Sequence, residues 1–209
     1  MTKCIAILGA GGHGKVVAEL AELNGYDNII FYDDNWPSLK NVGPWPIVGK
    51  VSDLFADTAK LVIVVGIGNN DARLELQRKL TFKGAHFVTL IHPNATVSRY
   101  AKIGLGSVIM ANAVVNPFAN IGDACIVNTS ATIDHDCVVS DGVHISPGAN
   151  LAGTVIVGEK SWVGIGSQIK QKISIGSNVI IGAGSSVIND IPNFQTVVGI
   201  PAKVVLKSK

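Results

Sequence analysis

From Ile91 to Val187 every sixth residue is Ile, Leu or Val, and the frame never slips. The blocks open on Ile91, Val97, Ile103, Ile109, Val115, Ile121, Val127, Ile133, Val139, Ile145, Leu151, Val157, Val163, Ile169, Ile175, Ile181 and Val187. With about half of residues apolar, chance produces such a run roughly once in 10⁵ frames. The fifth place is restricted as well, to small or apolar residues such as Ala95, Ser107, Cys125, Cys137, Val155 and Ser167. A period of six belongs to neither an ordinary strand nor a helix. It marks a parallel β-helix built from hexapeptide repeats, in which each block supplies one short strand and one corner and three blocks close a triangular coil. The aliphatic residue fills the prism, and the small residue sits where the walls crowd together. Glycine recurs in the second place (Gly104, Gly122, Gly158, Gly164, Gly176, Gly182), where we expect a corner that needs unusual backbone angles.

Hydrophobic residues make up 47% of the 209-residue chain and charged ones only 15%, which excludes a disordered protein. The net charge of +2 is too small to point to nucleic acid as partner. The opening MTKCIAIL lacks the cleavage pattern of a signal peptide and reads as a first strand, and no run of 18 apolar residues suggests a membrane span. Cys125 and Cys137 fall on fifth places and should point into the prism as inert small hydrophobes, consistent with a reducing, cytoplasmic setting.

Residues 1–90 read differently. Strands over 3–8, 29–34, 60–68 and 86–91 alternate with helices over about 14–23 and 71–82, and Pro37, Pro44 and Pro46 mark a loop. That alternation implies a parallel sheet with crossover helices. Gly9-x-Gly11-x-x-Gly14 follows the first strand, and Asp33 comes about twenty residues later, as in a dinucleotide-binding fingerprint. Ninety residues are about half a full dinucleotide domain, so the reading is a mononucleotide or nucleotide-sugar site, with phosphate oxygens at the helix N-terminus and a carboxylate on ribose. The competing reading is that the glycines only allow strand and helix to pack closely.

Five histidines are candidates for chemistry: His13, His86, His92, His135 and His144. The register puts His135 in the third place of its block and His144 in the sixth, so both should lie on the outer surface of the prism, half a coil apart. His135 stands between Asp134 and Asp136, and adjacent carboxylates make an imidazole more basic, as a general base near neutral pH requires. The competing reading is a solvated charged corner. Open catalytic zinc needs three protein ligands, and His92 lies more than two coils from His135, so no metal is expected.

The GAGGHG turn, FYDD, GIGNN, the DHD triplet and the closing GIPAK resemble bacterial hexapeptide acetyltransferases of surface-sugar biosynthesis. The nearest resemblance is to the group that N-acetylates UDP-4-amino-4,6-dideoxy-N-acetylglucosamine in the bacillosamine pathway, and sialic-acid O-acetyltransferases look similar. The resemblance implies an α/β Rossmann-like nucleotide-sugar-binding domain over 1–90 and a left-handed β-helix acyltransferase domain with a C-terminal tail over 91–209. It implies a homotrimer, acetyl-CoA as donor, and a cleft between neighbouring helices. It puts the base at His135 and its acidic modulator at Asp136, where relatives often carry Glu. It implies acetyl-CoA contacts at His144, Gly153, Ile165 and Ala183, and nucleotide contacts at Gly12, His13, Gly14, Asp33, Asp34 and Gly68. Asn128 falls on a polar position near the base. Three activities follow for comparison: N-acetylation of a UDP-amino-sugar, O-acetylation of a sugar such as sialic acid, and a non-enzymatic scaffold carrying a nucleotide-sensing domain.

Overall fold

The computed structural model describes residues 3–55 and 61–205, so Lys60, the first residue of one expected strand, and the last four residues of the expected C-terminal tail lie outside them. These residues form two compact units, Met1–Pro93 and Asn94–Lys209.

The first unit is a six-stranded sheet. Its strands are β1 (Cys4–Leu8), β2 (Asn28–Tyr32), β3 (Asn41–Val42), β4 (Trp45–Gly49), β5 (Val62–Val65) and β6 (His86–Phe87), in the order β3-β4-β2-β1-β5-β6. All pairs are parallel except β3 with β4. The helices are α1 (Gly12–Leu23), α2 (Val51–Leu54) and α3 (Asn70–Phe82). β1 is buried almost throughout, as a central parallel strand covered on both faces must be. The proline-marked stretch differs from the expected loop. Val42 pairs with Trp45 in a tight hairpin, and Ile47 and Gly49 alternate inward against β2, so Pro46 sits near the start of a strand close to the sheet edge, where a missing N–H is tolerated.

The second unit is the repeat. Successive strands of each wall are 18 residues apart: Val108–Ile109, Ile126–Val127, His144–Ile145, Trp162–Val163 and Ile180–Ile181 on the first wall, with Thr132–Ile133 and Asn150–Leu151 on the second and Asn120–Ile121 and Val138–Val139 on the third. Backbone amides bond along the stack, as in Val108 N–H to the Cys125 carbonyl (2.9 Å) and Met110 N–H to the Val127 carbonyl (2.9 Å). The first and fifth places of the blocks are buried from Ser107 to Val187. Cys125 and Cys137 lie inside the prism, and burial pushes the Cys137 thiol up in pKa.

The corners correct one expectation. Positive φ falls on the fourth place of every block from Gly106 to Gly184, whether the residue is Gly, Asn, Asp, Ser, Ala, Thr, Lys or Phe. The second-place glycines keep negative φ and serve another purpose: a Cβ on Gly104 would overlap the Gly122 backbone and the Asp123 carboxylate of the next coil. They are required by the closeness of stacked backbones.

Fifth-place hydroxyls and thiols tie the coils together inside the prism. Ser161 Oγ donates to the Gly176 carbonyl (2.7 Å) and accepts from Val179 N–H (3.0 Å); Cys137 Sγ donates to the Ala152 carbonyl (3.2 Å). Replacing Ser161 by Ala leaves a buried amide and a carbonyl short of a partner, which costs about 1–3 kcal/mol. Thermal melting of Ser161→Ala should show that loss, and Ser161→Cys should recover part of it; identical melting curves for the three proteins would contradict this role.

Candidate active site

Asp134, His135 and Asp136 occupy the corner that follows the second wall, directly after strand Thr132–Ile133. His135 Nδ1 lies 2.7 Å from Asp136 Oδ2. With Nδ1–H donating to the carboxylate, the Nε2 lone pair is left for a substrate proton. Asp136 takes the positive φ of the fourth place (58°), a conformation Asp tolerates better than most residues. Asp134 does not touch the ring; its Oδ1 accepts from His135 N–H (2.8 Å) and from Asn116 Nδ2 on the coil below (2.8 Å). The hydrogen bond from Asn116, then that from His135 N–H, hold the Asp134 carboxyl below its ordinary pKa. The hydrogen bond to Asp136, reinforced by the Asp134 charge, raises the imidazole above its ordinary value. Asp134 was read from the sequence only as a carboxylate flanking His135, and Asn116 was not among the candidates; their spacing of one coil, 18 residues, is the signal that could have paired them.

Gly153 is one coil above His135, and its missing side chain makes room for the ring: a Cβ there would sit 2.6 Å from His135 Nε2. The imidazole is therefore held between Asp136 and the backbone of the next coil while its edge stays in solvent. Beside this corner, Asn116, Thr132, Asp134, Asn150, Gln168 and Lys170, with apolar Val114, Leu151 and Ile169 between them, line a groove of about 440 Å³ along the second wall. Thr132 Oγ1–H donates to Asn150 Oδ1 (2.6 Å) and Asn150 Nδ2 to Gln168 Oε1 (3.2 Å).

A second set gathers elsewhere on the prism. Asn128 Oδ1 accepts from Thr129 N–H (2.8 Å), which fixes the amide so that Nδ2 donates to His144 Nε2 (3.0 Å). The His144 ring packs on Trp162, one coil up, with centroids 4.9 Å apart. His144 was expected on the outer surface; it points out of the prism but is only 8% exposed, because neighbours on its own wall cover it. Ile165 and Ala183, both exposed, stack one coil apart on the corner after the first wall, joined by Gly184 N–H to the Ile165 carbonyl (2.8 Å). The proposed site residues thus form two sets: His135, Asp136 and Gly153 at one corner, and Asn128, His144, Ile165 and Ala183 on the first wall and its own corner. In a triangular prism the corner between the second and third walls lies opposite the first wall, so His135 and His144 sit on different sides of one prism.

In the α/β unit, Gly9, Gly11, Gly12, His13, Asp33, Asp34 and Gly68 line a cleft of about 510 Å³ at the carboxyl ends of β1, β2 and β5, the place where open α/β sheets bind ligands. Gly14 is not part of it. It is buried, and a side chain there would collide with the Gly9 carbonyl, so close packing of strand and helix by itself requires glycine at this position. Asp33 Oδ2 accepts from Ala10 N–H (2.7 Å) and Oδ1 from Asn35 N–H (2.9 Å) and Nδ2 (2.8 Å). Burial works to raise its pKa, but those hydrogen bonds outweigh it and hold the carboxyl below the usual range. His13 is pushed down to about 4 by burial and then by the Arg73 charge, so it is neutral at physiological pH. Its buried Nε2 has no hydrogen-bond partner among the described residues. Arg73, absent from the sequence candidates, is itself buried and donates to the Ile67 and Gly68 carbonyls (3.2 and 2.9 Å), which shapes the far rim. Among the described residues no group of three or more His, Cys, Asp or Glu is placed to hold a metal ion.

Residues 4–80 match the PglD N-terminal domain family. The acetyltransferase domain of PglB from Neisseria gonorrhoeae is 43% identical, covers 98% of this chain and 100% of its own, and superposes with a TM-score of 0.93. The chain belongs to this sugar acetyltransferase family. A second family member, perosamine N-acetyltransferase from Caulobacter crescentus, solved with CoA and GDP-perosamine as a His-to-Asn variant, is 34% identical over 99% of both chains with a TM-score of 0.90. The UDP-N-acetylbacillosamine N-acetyltransferase of Bacillus subtilis is 40% identical over 115 residues, and the chain spans 52% of its length. The family fold, an α/β domain followed by a left-handed parallel β-helix, is the one seen here.

A general-base role for His135 requires the neutral imidazole, which Asp136 disfavours, and therefore predicts that activity is lost on the acid side at a pH above the ordinary imidazole value. Asp136→Asn lowers the His135 pKa and should move that acid limb of the kcat/KM profile to lower pH, at reduced maximal rate. An unmoved limb would make Asp136 a surface charge only. Gly153→Ala should displace the ring and lower kcat at least about tenfold, since a displacement near 1 Å at a catalytic group has such effects, while circular dichroism stays unchanged; full activity would contradict the platform.

Proposed function

We propose that the chain is an acetyl-CoA-dependent N-acetyltransferase acting on the 4-amino group of a UDP-linked amino-dideoxy sugar. The observation that carries this reading is the His135–Asp136 pair, a half-exposed imidazole with its Nδ1 engaged by a carboxylate and its Nε2 lying over the bare backbone of Gly153. A scaffold has no use for such a pair. Relatives named for the N-acetylation of bacillosamine-type and perosamine sugars support an amine as acceptor. The PglB acetyltransferase domain solved with acetyl coenzyme A supports the donor.

Transfer is direct. The neutral sugar amine attacks the thioester carbonyl carbon, the C–N bond forms, and His135 Nε2 takes the ammonium proton while Asp136 stabilises the imidazolium. The tetrahedral intermediate then collapses, the C–S bond breaks, and the CoA sulfur leaves as thiolate and takes up a proton. Holding both substrates in line supplies a large share of the rate. The exposed edge of Ile165 and Ala183 suits the pantetheine arm. His144, fixed by Asn128 and Trp162, is a rigid polar group for the thioester region. Because the two sets of residues face different ways on one prism, the site is shared between adjacent copies, and a closed homotrimer gives every His135 such a neighbour. Gly12, His13, Asp34 and Gly68 line the cleft that holds the uridine nucleotide, with His13 neutral and Asp33 fixing the loop. A chain that draws on acetyl-CoA and a nucleotide sugar works in the cytoplasm.

Thiol release from acetyl-CoA tests this directly. The UDP-4-amino-dideoxy sugar should support turnover, whereas the UDP sugar with a 4-hydroxyl and free or CMP-linked sialic acid should not. His135→Ala should lower turnover by roughly 10²–10⁴. Faster acetylation of a hydroxyl acceptor, or near-normal rates in a folded His135→Ala protein, would overturn the proposal.

A further inference from the structure

The corner that carries His135 and Asp136 continues downward, toward the N-terminal coils, as Pro117 and Phe118 and then Arg99 and Tyr100. The register is fixed by the backbone, since Asp136 N–H donates to the Pro117 carbonyl (3.2 Å). Tyr100 and Phe118 stack with their centroids 5.7 Å apart and planes 30° apart, yet they are 52% and 64% exposed. The Arg99 guanidinium carbon lies 4.8 Å from the Tyr100 ring centre, and Nη2 donates to Tyr100 Oη (2.6 Å). Phe118 also occupies the fourth place with φ of 64°, a conformation uncommon for a bulky residue. Among the fourth-place residues from Gly106 to Gly184 it is the only aromatic one. Neither packing nor turn geometry asks for Phe there: its ring is outside the prism, and Asn or Gly would suit the backbone better.

We propose that Phe118 and Tyr100, with Arg99 beyond them, form the acceptor subsite, a platform for the apolar face of the amino-sugar ring with a cation for the phosphate at its anomeric carbon. The inference rests on the acetyltransferase reading above. Coils stack at the spacing of neighbouring strands, so Phe118 is about 5 Å and Arg99 about 10 Å below the base. A hexopyranosyl phosphate with its 4-amino group at His135 spans a similar length from amine to phosphate, once hydrogen-bond reach is added at each end. A deoxygenated sugar presents rows of C–H groups that an aromatic face desolvates, and the guanidinium suits a phosphate through paired N–H donors. The stack supports the ring below the base, and Tyr100 Oη pre-orients Arg99.

Steady-state kinetics on intact variants test this, with the UDP-4-amino-dideoxy sugar and the methyl glycoside of the same amino sugar as acceptors. Phe118→Asn should melt at the same temperature as the wild type or higher, because Asn accepts the left-handed corner. It should raise the KM of both acceptors roughly three- to tenfold, the range of an aromatic contact, and leave the acetyl-CoA KM unchanged. Arg99→Ala should raise the KM of the nucleotide-linked acceptor only, because the methyl glycoside has no phosphate. Tyr100→Phe keeps the stack and should leave the methyl glycoside KM unchanged. Unaltered acceptor KM in Phe118→Asn and Arg99→Ala overturns the subsite. So does sedimentation showing that Phe118→Asn dissociates the assembly, which would make the aromatic corner a contact between copies. A wild-type protein that acetylates no amino sugar overturns the underlying activity and the subsite with it, whereas active wild type with unchanged variants overturns the subsite alone.

Discussion

Everything in the second unit depends on the stacking of one 18-residue coil on the next. Strand amides bond to carbonyls in the coil above, as Val108 does to Cys125, and from Ala124 to Gly184 the fourth-place corner amides bond to carbonyls in the coil below, as Asp136 does to Pro117. This repetition freezes the vertical register at every corner. Contacts that look unrelated in the chain then become neighbours at fixed height: Asn116 under Asp134, His135 under Gly153, Asn128 under His144, His144 under Trp162. The side chains of the site need no loops of their own to hold them. An exposed histidine on a surface loop would have many rotamers, whereas this one is set by a carboxylate at its Nδ1 and a bare backbone above its Nε2.

The same stacking explains what could and could not be read in advance. A strict period of six announces the prism, because a residue that fills the interior must recur at each strand, and burial of the first and fifth places follows from it. The role of second-place glycine was misread. Both a positive φ and a close backbone above exclude side chains, and the sequence does not distinguish them; the structure assigns the first to the fourth place and the second to the glycines. The exposure of His144 was also misjudged. Its outward direction follows from the repeat, but its cover depends on which side chains occupy neighbouring coils. Asp134 was visible as an acid beside His135, while its restraint by Asn116 depends on a coil length that only becomes useful once corners are aligned.

In the α/β unit the glycine fingerprint is a mixture. Gly12 borders the cleft, whereas Gly14 lets α1 approach the end of β1. Asp33 spends its carboxylate oxygens on Ala10 and Asn35, so its first effect is to close the turn that shapes the cleft. His13 is neutral for two physical reasons, burial and a buried arginine nearby, neither of which a motif reveals. The proline-marked loop contains a short hairpin because alternating Ile47 and Gly49 can dock on β2, a tertiary preference that outweighs the local signal of proline.

In the activity we propose, His135 of one copy works with His144 of another, since the two lie on different sides of the prism. Subunit mixing tests it. His135→Ala and His144→Ala proteins should each be nearly inactive, and co-refolding them in equal amounts should restore activity to about a quarter of the wild-type level, the fraction of interfaces in a randomly mixed symmetric oligomer that pair an intact His135 with an intact His144. A mixture no more active than its components, or a His144→Ala protein as active as the wild type, would contradict a site shared between copies.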